Sequence, residues 1–451
     1  MRRILVPLLL LALLPSPAAS ESHFMVRVGA HGETVEELCD RLGLELLGGV
    51  DPSGHTFLVA ASDYLDTESV LDLLLSEPQI KRAELVRSLD LPEVNEGEAN
   101  DVAAALVKRF SELASQDLFS DSPPVKYFGS PVAPAYVIQP AASLLKIHEA
   151  HQDFGAGAGK VAVIDTGVDP NHPALKRSLV SGYDFVHEKS GAASEWSDLD
   201  QSTVAVLDQS TVAVLDQSTV AVLNQSTVAV LNDPRYSAFG HGTMVAGLIH
   251  LVAPNAKIMP LKVFRSDGRA SSADIVRAVY HAVEHEADVI NMSFSFDDFS
   301  PEIMRAVNYA TRHGVICVSS VGNQGKEILV YPASFANILG VGATTLTDER
   351  SEISNFGEDV VSLAAPGEEV ISTYPGGRYA AGFGTSFSAA LVAGAAALLL
   401  DVDGETDQYL AAKALSHARR LSEEMGYGRL DAYEALSALQ AELIRGKDRD
   451  E

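Results

Sequence analysis

Four residues far apart in the chain carry side chains that hydrolytic chemistry can use. Asp165 ends the apolar run KVAVID and is followed by Thr-Gly, where glycine permits a tight turn. His241 lies between two glycines at the head of HGTMVAGLIHLV, and Ser386 stands in the small-residue turn GFGTSFS ahead of ALVAGAAALLL. Asn323 follows the apolar run GVICVSSVG. A serine hydroxyl becomes an effective nucleophile only when a neighbouring imidazole takes its proton. That imidazole in turn needs a buried carboxylate to fix its tautomer and steady its charged form. Asp165, His241 and Ser386 supply such a set, and the amide of Asn323 can donate to a developing oxyanion beside the backbone N–H of Ser386. Taken singly, each has an ordinary reading as turn former, glycine-flanked histidine or helix cap.

Positioning them requires a scaffold, and the pattern from 139 to 440 describes one. Continuous apolar strands (KVAVID, KIMPLKVF, ADVINMSF, GVICVSSVG, ILGVGAT) alternate with helical stretches such as HGTMVAGLIHLV and SADIVRAVYHAVEHE. Strands without polar alternation, separated by helices, predict an α/β domain with a buried, mainly parallel sheet and helices on both faces. Ligands in such folds sit beyond the carboxyl ends of the strands. Ahead of it, residues 21–92 read strand, helix, strand, strand, helix, strand, the order of a small ferredoxin-like α+β domain. Residues 93–138 are acidic and then rich in Pro, Gly and Ser, a linker with one short helix, and 441–451 form a charged tail. Residues 200–231 are four octads, DQSTVAVL three times and NQSTVAVL once. Their period fits no helical face, so an unstructured or loosely β excursion is expected, with a stack of short strands serving adhesion or regulation as the alternative.

The bulk properties narrow the partners. With 33 basic and 61 acidic residues the formal charge is −28, which disfavours nucleic acid and anionic membranes. The opening MRRILVPLLLLALLPSPAAS has the layout of a secretory signal peptide whose apolar run is too short to span a bilayer. A secreted protein, extracellular or periplasmic and without a membrane anchor, is expected. Cys39 and Cys317 are the two cysteines, and Cys317 in GVICVSS reads as a buried free thiol. HAVEH at 281–285 spells a zinc-peptidase pattern. Helical spacing, however, makes Ile275, Ala278, Val279, Ala282 and Val283 the buried stripe and leaves Arg277, His281, Glu284 and His285 on the solvated side.

Eight stretches occur in family order over 139–436: VAVIDTGVDPNHPAL, GHGTMVAGLI, DVINMSFS, VSSVGNQG, YPASFANILGVGAT, NFGEDVVSLAAPG, GTSFSAALVAGAAALL and GYGRLDA. In them the sequence resembles the subtilisin-like (subtilase) serine peptidases. The resemblance implies a three-layer subtilisin-like fold and a serine endopeptidase working through an acyl-enzyme. Asp165 would orient His241, His241 would act as base and then acid, Ser386 would attack, and Asn323 would hold the oxyanion. It further implies a monomer acting on polypeptides, with residues 21–92 as a propeptide that inhibits the enzyme until cut off within the linker. No cofactor is needed for catalysis, and the acidic loops leave room for structural calcium. Substrate would lie extended against Gly268, Arg269 and Ala270 on one side and Ser293, Phe294 and Ser295 on the other, near Ser320 and Gly322. The chain departs from the family at Phe294-Ser295-Phe296, where many relatives have Leu-Gly-Gly, at Met244 in place of histidine and at Ala390 in place of proline. The alternative is a weak or inactive subtilase scaffold used for binding or adhesion.

Overall fold

The computed structural model describes residues 22–29, 32–61, 66–91, 123–199, 219–220 and 234–450. The expected signal peptide, most of the expected linker, and nearly all of the octads lie outside the described residues. The chain divides into two compact units, Met1–Val86 and Arg87–Glu451.

The first unit runs β1 (Ser22–Val28), α1 (Val35–Leu42), β2 (Leu44–Gly49), β3 (Thr56–Ala61), α2 (Thr67–Ser76) and β4 (Ile80–Leu85). Its antiparallel sheet has the order β2-β3-β1-β4, the split βαβ arrangement of a ferredoxin-like domain. Helix α1 starts where the Thr34 hydroxyl and the Glu37 carboxylate cap each other's backbone, and it stops at Gly43 in the left-handed conformation. Leu38 and Cys39 of α1 and Val70 and Leu74 of α2 pack on Phe24, Val26 and Val59 of the sheet. The unit closes at Val86, before the expected boundary at 92.

The second unit begins with β5 (Ser88–Asp90), a hairpin of β6 (Val125–Tyr127) and β7 (Ser130–Val132), and short helices α3 (Pro134–Ile138), α4 (Pro140–Leu144) and α5 (Ile147–Asp153). The hairpin and α3 lie in the stretch read as linker. They are held because Tyr127 and Tyr136 bury their rings and donate their hydroxyls to the carbonyls of Leu251 and Gly247, at 2.5 and 2.6 Å. Next come β8 (Lys160–Asp165), β9 (Gly182–Asp184), β10 (Lys189–Gly191), β11 (Thr219–Val220), α6 (His241–Val252), β12 (Lys257–Lys262) and β13 (Arg269–Ser271). They are followed by α7 (Ser272–Glu284), β14 (Val289–Met292), α8 (Pro301–Arg312), β15 (Ile316–Ser320) and β16 (Leu339–Thr344). The unit ends with β17 (Leu363–Pro366), β18 (Val370–Tyr374), β19 (Arg378–Gly382), α9 (Thr385–Val402), α10 (Gln408–Leu415) and α11 (Ala432–Asp450).

The central sheet has the order β10-β9-β12-β8-β14-β15-β16-β17, parallel except for the β9–β10 hairpin. From β8 the chain crosses through α6 to β12 on one side and through α7 to β14 on the other, so the strand order reverses around β8. Val161, Val163, Val289, Ile316, Val318, Leu339 and Val341 share one core with α6 and α9. These two helices touch closely: a Cβ on Gly394 would meet the Val252 side chain at 2.6 Å. Helix α9 has the length and composition of a membrane span, yet 89% of it is buried inside the protein, as fits the central helix of a layered fold. Cys39 and Cys317 are both free and buried, and burial pushes the Cys317 thiol up to about 12.

Both roots of the octad tract are tied to one residue. Ser266 donates its backbone N–H to Asp198 before the tract, at 2.6 Å, and its hydroxyl to the carbonyl of Arg235 after it, at 2.9 Å. Its carbonyl also accepts from Ala238 at 2.8 Å. Within the tract, β11 pairs antiparallel with β19, Thr219 opposite Gly382 and Val220 opposite Ala381. Because the roots are clamped independently of what lies between them, tract length should matter little. Halving it changes loop-closure free energy by only about 0.6 kcal/mol. Removing two octads is therefore expected to leave turnover unchanged and to move the melting temperature by less than about 2 °C. Loss of turnover in a folded shortened variant would assign the tract a part in the reaction.

Candidate active site

The fold delivers the four candidate residues to one edge of the sheet. Asp165 is the last residue of β8, His241 the first of α6, and Asn323 follows β15. Ser386 is the second helical residue of α9, whose N-cap is Gly384 with no side-chain cap. The cap reading of Ser386 therefore fails. Its hydroxyl points across the sheet edge, 3.1 Å from the carbonyl of Ser293, while the Ser293 hydroxyl donates back to the Ser386 carbonyl at 2.8 Å.

Asp165 and His241 form a dry pair. The Asp165 Oδ1 lies 2.8 Å from His241 Nδ1 and also accepts the backbone N–H of Thr166 at 2.7 Å. The side chains are 0% and 5% exposed, so little water competes for the contact. The approach depends on Gly242: a Cβ there would lie 2.0 Å from the Gly167 carbonyl oxygen and 3.0 Å from Asp165 Oδ1. The imidazole ring is 5.8 Å from the ring of Phe387, the residue after Ser386, which puts the pair beside the start of α9. With Nδ1 facing the carboxylate, Nε2 is the ring's other nitrogen available for proton exchange.

Asn323 is oriented by α9 itself. Its Oδ1 accepts from both the backbone N–H and the hydroxyl of Thr385, each at 2.9 Å. An oxygen so engaged makes the other arm of the amide, the N–H₂ group, the donor. Asn355 shapes the loop around it, with Nδ2 donating to Val321 and Oδ1 accepting from Gln324 and Lys326.

The expected substrate-binding residues separate into two groups. Arg269 and Ala270 lie on β13, and Gly268 precedes them with φ 82°. The strand is already paired: β5 runs antiparallel to it, Asp90 opposite Arg269 and Leu89 opposite Ala270, and Leu91 donates to the Gly268 carbonyl at 2.9 Å. Leu89 and Leu91 are buried on one face of that strand, while Ser88 and Asp90 face solvent, the alternation of a half-covered strand. Around the other segment, Ser295 and Ser320 are buried with hydroxyls that have no hydrogen-bond partner in the structure. A Cβ on Gly322 would meet the Ser295 hydroxyl at 2.9 Å. Phe294 departs from the expected contact with substrate, because its side chain is fully buried against Phe264 and Phe296. Met244 and Ala390 are fully buried parts of the α6–α9 core.

The zinc pattern resolves as structure. The rings of His281 and His285 stack at 3.8 Å, and His281 is half-buried against Tyr183 and Phe185 instead of facing solvent. Burial, with His285 and Arg277 adding to it, pushes its pKa down to about 4. Among the described residues no three His, Cys, Asp or Glu side chains cluster as a metal site.

One residue of the site carries no motif. Glu195, in the 3-10 turn Glu195–Asp198, is buried behind the Asp165–His241 pair and accepts from Thr166, Gly240, Gly242 and Thr243. In sequence it is one of many acidic residues between Asp165 and His241, and no spacing singles it out.

Comparison with known proteins bears on the family. The model of the subtilase family matches residues 157–428. The chain is 30% identical over 298 residues to thermitase of Thermoactinomyces vulgaris, covering 63% of this chain and 91% of thermitase. It is 31% identical over 296 residues to the thermophilic serine proteinase of Bacillus sp. (strain AK1), and spans 63% of that protein's length as well as 63% of its own. In structure it matches the epidermin leader peptide processing serine protease of Staphylococcus aureus with a TM-score of 0.62 at 19% identity, over 92% of this chain and 99% of that one, a likeness of fold. The ordered motifs, the sheet that gathers them and the family match lead to one conclusion: the chain belongs to the subtilase family of serine endopeptidases.

Proposed function

We propose that the protein hydrolyses peptide bonds in polypeptides through Asp165, His241 and Ser386, and that it is made as an exported, autoinhibited precursor. The observation that carries this reading is the buried 2.8 Å contact of Asp165 with His241, set beside the helix that bears Ser386. In the first step Ser386 Oγ passes its proton to His241 Nε2 and bonds to the substrate carbonyl carbon. The oxygen that gains the charge is met by the Ser386 backbone N–H and the Asn323 amide. Collapse breaks the C–N bond, and the departing amine takes the proton from His241. Water then repeats the sequence on the acyl-enzyme.

The β5 strand supports the precursor reading. It lies on β13 as a substrate in extended form would, recognised through main-chain hydrogen bonds. Cleavage within the linker that follows would release that strand. Export rests on the layout of residues 1–20, and N-terminal sequencing of the mature protein from the medium or periplasm tests both processing and export.

A fluorophosphonate probe and casein test the activity. The processed protein should take one label and cleave casein. A folded, processed protein that does neither is the inactive scaffold. Asn323→Ala is expected to lower turnover by about 10²–10³ with little change in KM, because its donor matters only once charge develops on the oxygen. A loss under tenfold in a folded variant removes Asn323 from the oxyanion site.

A further inference from the structure

Glu195 sits where the two halves of the proposed catalytic dyad are joined. Its Oε1 accepts the Thr166 hydroxyl at 2.5 Å and the backbone N–H groups of Gly240 and Gly242, each at 3.1 Å. Its Oε2 accepts the Thr243 hydroxyl. Thr166 immediately follows Asp165, whereas Gly240, Gly242 and Thr243 surround His241 at the start of α6. One carboxylate thus spans the end of β8 and the first turn of α6, and the Thr166 hydroxyl closes the ring by accepting from Gly242 at 3.0 Å. Helix α6 has no side-chain cap of its own. Glu195 takes that place from a distant part of the chain, with its negative charge at the positive end of the helix.

We propose that Glu195 is a positioning residue for the reaction. Its carboxylate fastens the turn after Asp165 to the first turn of α6 and so fixes the imidazole of His241 against Asp165 and toward Ser386. This rests on the reading of Asp165, His241 and Ser386 given above. Two features argue against a purely structural role. Burying a carboxylate is costly, and its charge lies beside the proposed dyad. All four partners donate in this arrangement, and an ionised carboxylate accepts from all of them without any hydroxyl turning round.

Several charged or titratable groups face Glu195. Asp165 on β8 repels its charge, and Lys262 on β12 attracts it. His241 lies on α6, Asp198 shares the 3-10 turn and pairs with Lys262, and Tyr374 at the end of β18 is a further neighbour. Desolvation dominates and pushes the Glu195 pKa up to about 7. A carboxyl whose folded pKa is raised favours the folded state most below its unfolded value, here the ordinary 4.5, and loses that advantage as pH rises to about 7. Glu195 thus lowers stability at the pH where its charge is present.

Glu195→Gln separates the two roles. The amide keeps the shape, but it removes the buried charge and replaces an acceptor with a donor. Turnover is expected to fall about 10–100-fold, the scale of an ångström-sized misplacement, with KM unchanged. The melting temperature at pH 8 should hold or rise, and the decline in stability between about pH 4.5 and 7 should flatten. Thr166→Val, which removes one arm of the network, should also slow turnover, and Thr166→Ser should restore it. Wild-type turnover in folded Glu195→Gln and Thr166→Val would overturn the proposal, as would parallel loss of turnover and of stability in both, with no recovery in Thr166→Ser. Fluorophosphonate labelling of the wild type is run alongside. If the wild type itself takes no label, the peptidase reading has failed, whereas a labelled, active wild type with equally active variants refutes the role of Glu195 alone.

Discussion

Replacing Ser386 by alanine is expected to lower turnover on a peptide substrate by about 10⁶, the scale for removing the nucleophile from a triad whose other parts remain. The side chain is fully buried at the start of α9, and removing one oxygen leaves a methyl group among neighbours that already exclude water. Folding should therefore survive. The variant loses a hydroxyl that donates to the Ser293 carbonyl, and that carbonyl keeps a lone pair for other donors. Fluorophosphonate labelling should vanish completely, because the probe needs an oxygen nucleophile to displace fluoride. If the enzyme cuts its own precursor, the variant should also remain uncut until wild-type enzyme is added. Residual labelling would place the nucleophile elsewhere, and undiminished proteolysis would refute the serine mechanism.

Asp165→Asn is expected to cost about 10⁴ in turnover. The amide has nearly the same volume and can still present an oxygen to Thr166 N–H and to the imidazole, so hydrogen-bonded shape is largely kept. The change removes a full negative charge beside a ring that, in the proposed mechanism, carries positive charge in the transition state. With the pair shielded from solvent, no water substitutes for it. Asn also places a donor where Asp165 Oδ2 now sits buried without a hydrogen-bond partner in the structure, a further small cost in stability. Steady-state kinetics and a thermal melt check the two effects separately. A loss below tenfold with an intact fold would show that the charge of Asp165 is not needed. The double variant Ser386→Ala/Asp165→Asn should be no slower than Ser386→Ala alone, because in the proposed mechanism the two residues act as a unit.

Much of the architecture could be read before any coordinate. KVAVID, ADVINMSF, GVICVSSVG and ILGVGAT contain β8, β14, β15 and β16, and HGTMVAGLIHLV is α6 from end to end. They were legible because strands buried on both faces are apolar throughout and bounded by turn residues, signals that survive without knowing the neighbours. The ends of these elements were legible for the same reason, and the candidate residues stand at them.

Contacts between distant segments were not legible. Nothing local in SLDL says that it forms a strand or that its partner is Arg269–Ser271. The family resemblance sets Phe294 against the substrate, yet its side chain turns toward Phe264. Ser386 fits the composition of an N-cap, and Gly384 holds that place. In each case direction decides, and direction is set by packing.

By itself the sequence determined which chemical groups the protein has and which element ends carry them, since apolar periodicity and turn chemistry are local properties of the chain. Only the tertiary structure decided that Asp165 meets His241 in a dry site, that Asn323 is aimed by Thr385, and that Glu195 lies behind them with four donors. The reason is that desolvation and hydrogen-bond geometry depend on what surrounds a group in space, and residues adjacent there are separated here by dozens to hundreds of positions.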